Sequence, residues 1–323
     1  MKVAITIEGQ RGLTWPRWQR LVRAAEALGF AGLYRSDHFL DAAPPDRDAL
    51  ELWSSLTWLA ANTRRIEFGP LVTPLSFRHP VHTARIAKDV NDLAQGRLAL
   101  GLGAGWEGGS REHEMFGFQL LDVAERFARF DEGLQVITRL LRRPTPQTFE
   151  GRFYRLNKAI LLPRPHNGKG PPILIGGNGP RRTLPLVAKY ADEWNAIFRT
   201  PEQFAALNRR LDLLLDEAGR PSEAVVRSQM MGLVFGLDQQ DLQNQLHGRS
   251  VEAWRERGFI VGETSQIVEQ LGGLEAIGVQ KVMLQWPHLD DMERLEAFAT
   301  TVLPQIHTDF TMQHSPQEAH LER

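Results

Sequence analysis

Short apolar runs alternate with longer amphipathic stretches along the chain. The first run, residues 3–7, has the length of a buried strand. Behind it Trp18, Leu21, Val22, Ala25 and Leu28 recur at helical spacing, with Thr14 placed to cap the helix, Pro16 in its first turn and Gly29 just past its end. The couplet then repeats. A strand at 32–36 precedes a helix near 49–62, and one at 66–72 precedes a helix at 80–95. The run 97–103 is apolar on both faces, as a strand inside a parallel sheet should be. Its helix, near 122–142, carries Phe127, Phe130, Leu134, Ile137 and Leu141 at three- and four-residue steps. Further strands at 172–175, 193–198, within 225–236 and at 279–286 precede helices from about Arg181, over 201–218, within 250–277 and at 291–303. Residues 144–170, rich in Pro and Gly around the hairpin-like FYRLNKAILLPRP, break the rhythm and read as an insertion.

Eight strand-then-helix units favour a closed barrel over an open sheet, because parallel strands need helical crossovers. The expected fold is therefore α/β, a (β/α)8 TIM barrel spanning 1–306 with an insertion around 144–170, followed by a polar tail from His307. A chain of 323 residues suits one such barrel. With 38 Lys and Arg against 39 Asp and Glu, the formal net charge is -1, which gives no electrostatic reason to expect nucleic acid or an anionic membrane as a partner. The chain has no cysteine, so disulfides, thiolate nucleophiles and Cys-ligated metals are excluded. Glu8 stands too early for a signal sequence, no long uncharged apolar run follows, and the cytoplasm is the expected compartment.

Sites in such barrels are built at the C-terminal ends of the strands. Ser36-Asp37-His38-Phe39 follows the second strand, Leu71-Val72-Thr73-Pro74 the third, Gly103-Ala104-Gly105-Trp106 the fourth, and Gly176-Gly177-Asn178-Gly179-Pro180 the fifth, with Arg181 and Arg182 opening a helix. Glycines that let N–H groups converge, a helix N-terminus and two arginines together make a phosphate cradle; a turn serving only chain geometry is the alternative. GLGAGW at 101–106 lacks the G-x-G-x-x-G spacing and follows the fourth strand, so it is no dinucleotide fingerprint. Its small residues either admit a flat ring or the backbone, or pack tightly. His38 is either a proton-handling group or a hydrogen-bonded structural histidine. Glu107, Glu112 and Glu114 around His113 read as the polar start of a helix rather than a metal site. Trp15, Trp18, Trp53 and Trp58 read as packing residues.

Taken in order, GLYRSDHF (32–39), FGPLVTPLSFRHP (68–80), GRLALGLGAGW (96–106), EHEMFG (112–117), ERFARFDEGLQVI (125–137) and ILIGGNGPRRTLPLVAKYADEWN (173–195) resemble the luciferase-like monooxygenase superfamily, and within it the F420-dependent oxidoreductases. The resemblance implies a flavin or deazaflavin ring at the C-terminal strand ends, near Ala104 and Trp106, with its phosphate on Gly176, Gly177, Asn178 and Gly179. It implies a non-prolyl cis peptide at Leu71-Val72 behind the ring, His38 with Asp37 at the reactive face, and a homodimer. Arg181 and Arg182 suit the additional anionic tail of F420. The expected activity is hydride transfer between coenzyme F420 and a small organic substrate. The alternatives are a reduced-FMN, O2-using monooxygenase and a non-catalytic flavin-binding homologue. The chain departs from the deazaflavin-dependent sugar-phosphate dehydrogenases: Ala42 stands where they carry a Trp four residues after the His, and Trp106 where they carry a Glu. That puts sugar-phosphate oxidation in doubt.

Overall fold

Apolar runs hidden on both faces can satisfy their backbone only against like neighbours. In the computed structural model, which describes residues 1–306, they pair in parallel; the expected polar tail lies outside the described residues. In chain order the strands are β1 (Lys2–Ile7), β2 (Gly32–Arg35), β3 (Glu67–Pro70), β4 (Thr73–Pro74), β5 (Leu100–Gly103), β6 (Gln147–Glu150), β7 (Arg155–Ala159), β8 (Ile173–Gly176), β9 (Glu193–Ile197), β10 (Val226–Phe235), β11 (Phe259–Gly262) and β12 (Lys281–Gln285). The main sheet runs β3-β2-β1-β12-β10-β9-β8-β5-β4. Its ends meet, because Phe68 of β3 bridges Leu98, just ahead of β5. β3 and β4 are thus one barrel strand interrupted at Leu71 and Val72, and the sheet closes as the expected eight-stranded (β/α)8 barrel. The peptide between Leu71 and Val72 is cis.

The helices bury one stripe each; Val123–Arg142, for instance, buries Phe130, Leu134, Ile137 and Leu141. The 144–170 segment carries the antiparallel hairpin β6-β7. The expected helix within 250–277 is split: Val251–Arg255 and Thr264–Ala276 flank β11, which pairs with residues 232–235 of β10. Gly258, at φ +77, stands just before β11, and Gly262, at φ +150, is its last residue. The helix expected from Arg181 begins at Thr183. Trp15 is 40% exposed, whereas Trp18 and Trp53 are buried as expected.

Inside the barrel Ala4, Tyr34, Leu71, Ala99, Leu174, Met230 and Met283 form a separate apolar cluster. At the N-terminal ends of the strands Lys281 sits 2.8 Å from Glu193 and 2.9 Å from Glu67. Burial pushes this lysine down, but Tyr34, Glu193 and Glu67 outweigh it and hold the ammonium above its ordinary value. At the other end Arg35 is fully buried and donates to Ser55 Oγ at 2.6 Å and to the Leu50 carbonyl at 2.7 Å. It thereby ties down the long loop after β2. Gly9 is required beside it, since a Cβ there would lie 2.3 Å from the guanidinium. Burial pushes Arg35 down to about 10. Arg35→Ala should cost about 3 kcal/mol in urea unfolding, through the cavity and two stranded acceptors; a loss below about 1 kcal/mol would show that the loop does not depend on it.

Candidate functional site

A cavity of about 600 Å³ opens at the C-terminal ends of the strands, lined from β1, β2, the β3-β4 break, β5, β8, β9 and β10. Its floor is the break itself. Val72 projects into the mouth and is accommodated by glycines on the neighbouring strands: a Cβ on Gly103 would meet Val72 Cγ2 at 2.7 Å, and one on Gly101 would meet the Pro70 carbonyl at 2.0 Å. The small residues of GLGAGW therefore admit the neighbouring strand's backbone and Val72. Leu71, Val72, Gly103, Ala104 and Gly176 all line the cavity. Trp106 stands at its edge, 57% exposed, with its ring against Gly108.

His38 lines one wall. Its Nδ1 is 2.8 Å from Glu112 Oε1, and Glu112 Oε2 accepts the Phe39 N–H at 3.1 Å. Glu112 is only 3% exposed, so this carboxylate is no solvated helix start, and sequence reading missed it. It arrives on a short helix, Ser110–Phe116, that docks through aromatic contacts: Phe39 lies 4.6 Å from Phe116, 5.2 Å from Phe77 and 5.4 Å from Phe118 between ring centroids. Asp37, expected beside His38, is not among the cavity-lining residues. Its carboxylate accepts from Thr73 Oγ1 at 2.6 Å and from Arg78 instead. The second cavity histidine, His113, has both nitrogens engaged, with the Gly109 carbonyl at 2.7 Å and Ser76 Oγ at 2.9 Å.

The turn after β8 brings Gly176 and Gly177 into the lining, with Gly177 at φ +128. Asn178 faces the neighbouring strand, where its side chain bonds both the Ile197 carbonyl and the Ile197 N–H, and so staples the turn to β9. The Gly179 carbonyl accepts from Thr183 and Leu184 at the helix start. Arg181 and Arg182 are exposed and do not line the cavity. A different cation lies deeper. Arg126 is 8% exposed, its buried Nε lacks a hydrogen-bond partner, and it borders a small cleft that shares Ala104 and Phe130 with the main cavity. Among the described residues no three His, Cys, Asp or Glu are grouped to hold a metal ion, and no helix is long and apolar enough to cross a membrane.

Residues 4–262 match the family model for luciferase-like monooxygenase. The chain belongs to this family. Within reach of it lies a phthiodiolone/phenolphthiodiolone dimycocerosates ketoreductase of Mycobacterium kansasii, 27% identical over 85% of this chain and 73% of that protein. An F420-dependent glucose-6-phosphate dehydrogenase of Nakamurella multipartita is 35% identical over 53% of this chain and 49% of its own length. The solved structure of an F420-dependent secondary alcohol dehydrogenase in complex with an F420-acetone adduct superposes with a TM-score of 0.79 at 18% identity, covering 95% of this chain and 99% of that one, which shows the shared fold.

The His38–Glu112 pair gives this luciferase-like barrel a testable pH signature. Burial pushes the imidazole down; the hydrogen bond and charge of Glu112, with the charges of Glu8 and Asp37, push it up further, and the net lies above the ordinary value. The folded state therefore holds this proton more tightly than the unfolded chain. The resulting stabilisation is fully present below the unfolded value, about 6.5, and is lost as pH rises through the folded-state value. The urea-unfolding difference between wild type and His38→Ala should be larger near pH 5.5 than near pH 9, on either side of the ordinary imidazole range of about 6.5. A pH-independent difference would mean that the pair holds no proton.

Proposed function

We propose that this chain is an oxidoreductase that transfers hydride between coenzyme F420 and a small, mainly apolar carbonyl compound or alcohol. The observation that carries the reading is the cavity floor, an apolar surface of Leu71, Val72, Gly103 and Gly176 with one cavity histidine nitrogen, His38 Nε2, free of a partner among the described residues. The residues fit a ring bearing an anionic arm. Gly177 leaves space where a Cβ would press on Thr183 at 3.3 Å, and its φ of +128 turns the chain at the cavity wall. Gly176 and Gly177 would hold the phosphate, with Asn178 and Gly179 shaping the turn, while the exposed Arg181 and Arg182 remain available to an anionic tail.

When bound, the coenzyme supplies the hydride chemistry. The chain's own part is to orient the substrate, exclude water and hold a proton at His38 Nε2. The substrate side of the cavity is walled by Leu40, Phe77, Phe127, Phe130 and Phe198. Its one arginine, Arg11, has its guanidinium 3.6 Å from Asp41. No uncommitted cation of the lining would recognise a sugar phosphate, in keeping with Ala42 and Trp106 at the two positions that differ from that branch.

Fluorescence-quench titration with F420 and with FMN tests the coenzyme. F420 should bind at least about tenfold more tightly, about 1.4 kcal/mol. The reverse order would make the chain an FMN-dependent, O2-using member, and binding without turnover of any carbonyl would make it a flavin-binding homologue. Two substitutions test the turn. Gly177→Ala should cost stability of order 1–3 kcal/mol from its positive φ, while Gly177→Asp should add at least a tenfold loss of coenzyme affinity beyond that of Ala, about 1.4 kcal/mol. Equal affinities for the Ala and Asp variants would move the phosphate elsewhere.

A further inference from the structure

We propose that Glu112 is the positioning residue of the proton-transfer site: through two separate hydrogen bonds it orients His38 so that Nε2 alone is offered to the substrate oxygen. The inference rests on the hydride-transfer reading given above and assigns to it a residue on a different element from the histidine.

The geometry is specific. One carboxylate holds two consecutive residues, the ring of His38 through Oε1 and the backbone of Phe39 through Oε2. The ring can then neither flip nor swing without breaking a bond to a buried charge, which is costly. A carboxylate only accepts, so Nδ1 carries the hydrogen of that bond and Nε2 is the nitrogen that exchanges a proton. Nε2 has no hydrogen-bond partner among the described residues, whereas His113 has none of its nitrogens free. The other carboxylates nearby are committed. Asp37 on the same loop is held by Arg78 and Thr73, and Glu8 after β1 accepts from Gln10 at 2.9 Å and Gln285 at 2.8 Å. Glu112 is itself immobilised. Its helix is closed by Gly117 in the left-handed region, at φ +70, and the Phe116 ring packs tilted against Phe39.

The step balances as follows. In the reducing direction, the deazaflavin-type coenzyme, when bound in its reduced form, would supply the hydride for the new C–H bond at the carbonyl carbon and would be left oxidised. The π pair of C=O moves to oxygen, and the His38 Nε2–H bond breaks as the O–H bond forms. The imidazole is left neutral, Glu112 keeps its charge throughout, and solvent returns the proton through the cavity mouth. Oxidation of the alcohol is the reverse, with Nε2 as acceptor.

Histidine-labelled NMR of the chain without coenzyme, with His38→Asn to identify the resonance, reads the pair directly. In the wild type Nδ1 should stay protonated and the ring should titrate above the ordinary imidazole value. In Glu112→Gln the titration should move down and a mixture of tautomers should appear. Stopped-flow reduction with F420 loaded should show the kinetic midpoint moving in the same direction. The rate should fall roughly 10–100-fold with coenzyme affinity within a few-fold, less than the roughly 10²–10⁴ expected for loss of the acid itself. Glu112→Asp, which keeps the charge, should retain the raised titration and part of the rate, and it serves as the informative variant if Gln lowers the thermal midpoint severely. An unchanged titration and tautomer in a folded Glu112→Gln chain overturns the proposal. So does a moved titration with an unmoved kinetic profile, since that marks a purely structural contact. Failure of the wild type to bind F420 would defeat the coenzyme reading instead, and the NMR arm would still decide the positioning.

Discussion

The molecule depends on one constraint. Its third barrel strand must pair on both sides yet changes partner in the middle, at Leu71 and Val72. β3 bonds to β2, the Leu71 N–H still donates to the Arg35 carbonyl at 2.8 Å, and β4 bonds to β5; between these pairings Leu71 and Val72 reach the barrel mouth. Everything adjacent is shaped by that intrusion. Gly69 and Gly101 lie so close to the carbonyls of Ala99 and Pro70 that a Cβ would sit at 2.0 Å, and Gly103 and Gly176 leave room for the two methyl-bearing arms of Val72. Close packing makes such a position intolerant of even one extra carbon. The apolar floor of the cavity follows directly from the geometry that closes the sheet.

The polar wall is built by other means. His38 sits on a loop anchored from beneath by Arg35, and Glu112 reaches it from a helix anchored by aromatic rings. A rigid β floor and a loop-borne polar wall divide the work. Close backbone approach at the strand break sets the apolar floor, while packed side chains set the direction of one imidazole. The buried Lys281 network at the opposite end of the strands takes no part, and its unpaired neighbour Glu193 Oε1 is far from the mouth in the strand order.

The barrel was legible in the sequence because strands buried on both faces are unbroken apolar runs, and helices buried on one face keep a three-and-four spacing. β11 was not. Its four residues lie between two helical stretches and carry no period of their own, so only the glycines at 258 and 262 mark it. The cavity floor was legible through the ordered resemblance of GPLVTP, GLGAGW and ILIGGNG. The partners of His38 were not. Asp37 is its neighbour in sequence but is bonded to Thr73 and Arg78, and Glu112 hides in the charged stretch SREHEMFG, where a buried glutamate looks like a solvated one. Arg126 was equally invisible, since an arginine on an amphipathic helix normally faces water.

Glu112 belongs to a seven-residue helix inserted between β5 and the long helix Val123–Arg142, outside the hydrogen-bonded ladder. The consequence is evolutionary. The carboxylate that meets His38 can be exchanged, shortened or removed by changes in that insert alone, without altering a single barrel strand or the cavity floor. One scaffold can then carry different polar walls over the same apolar floor.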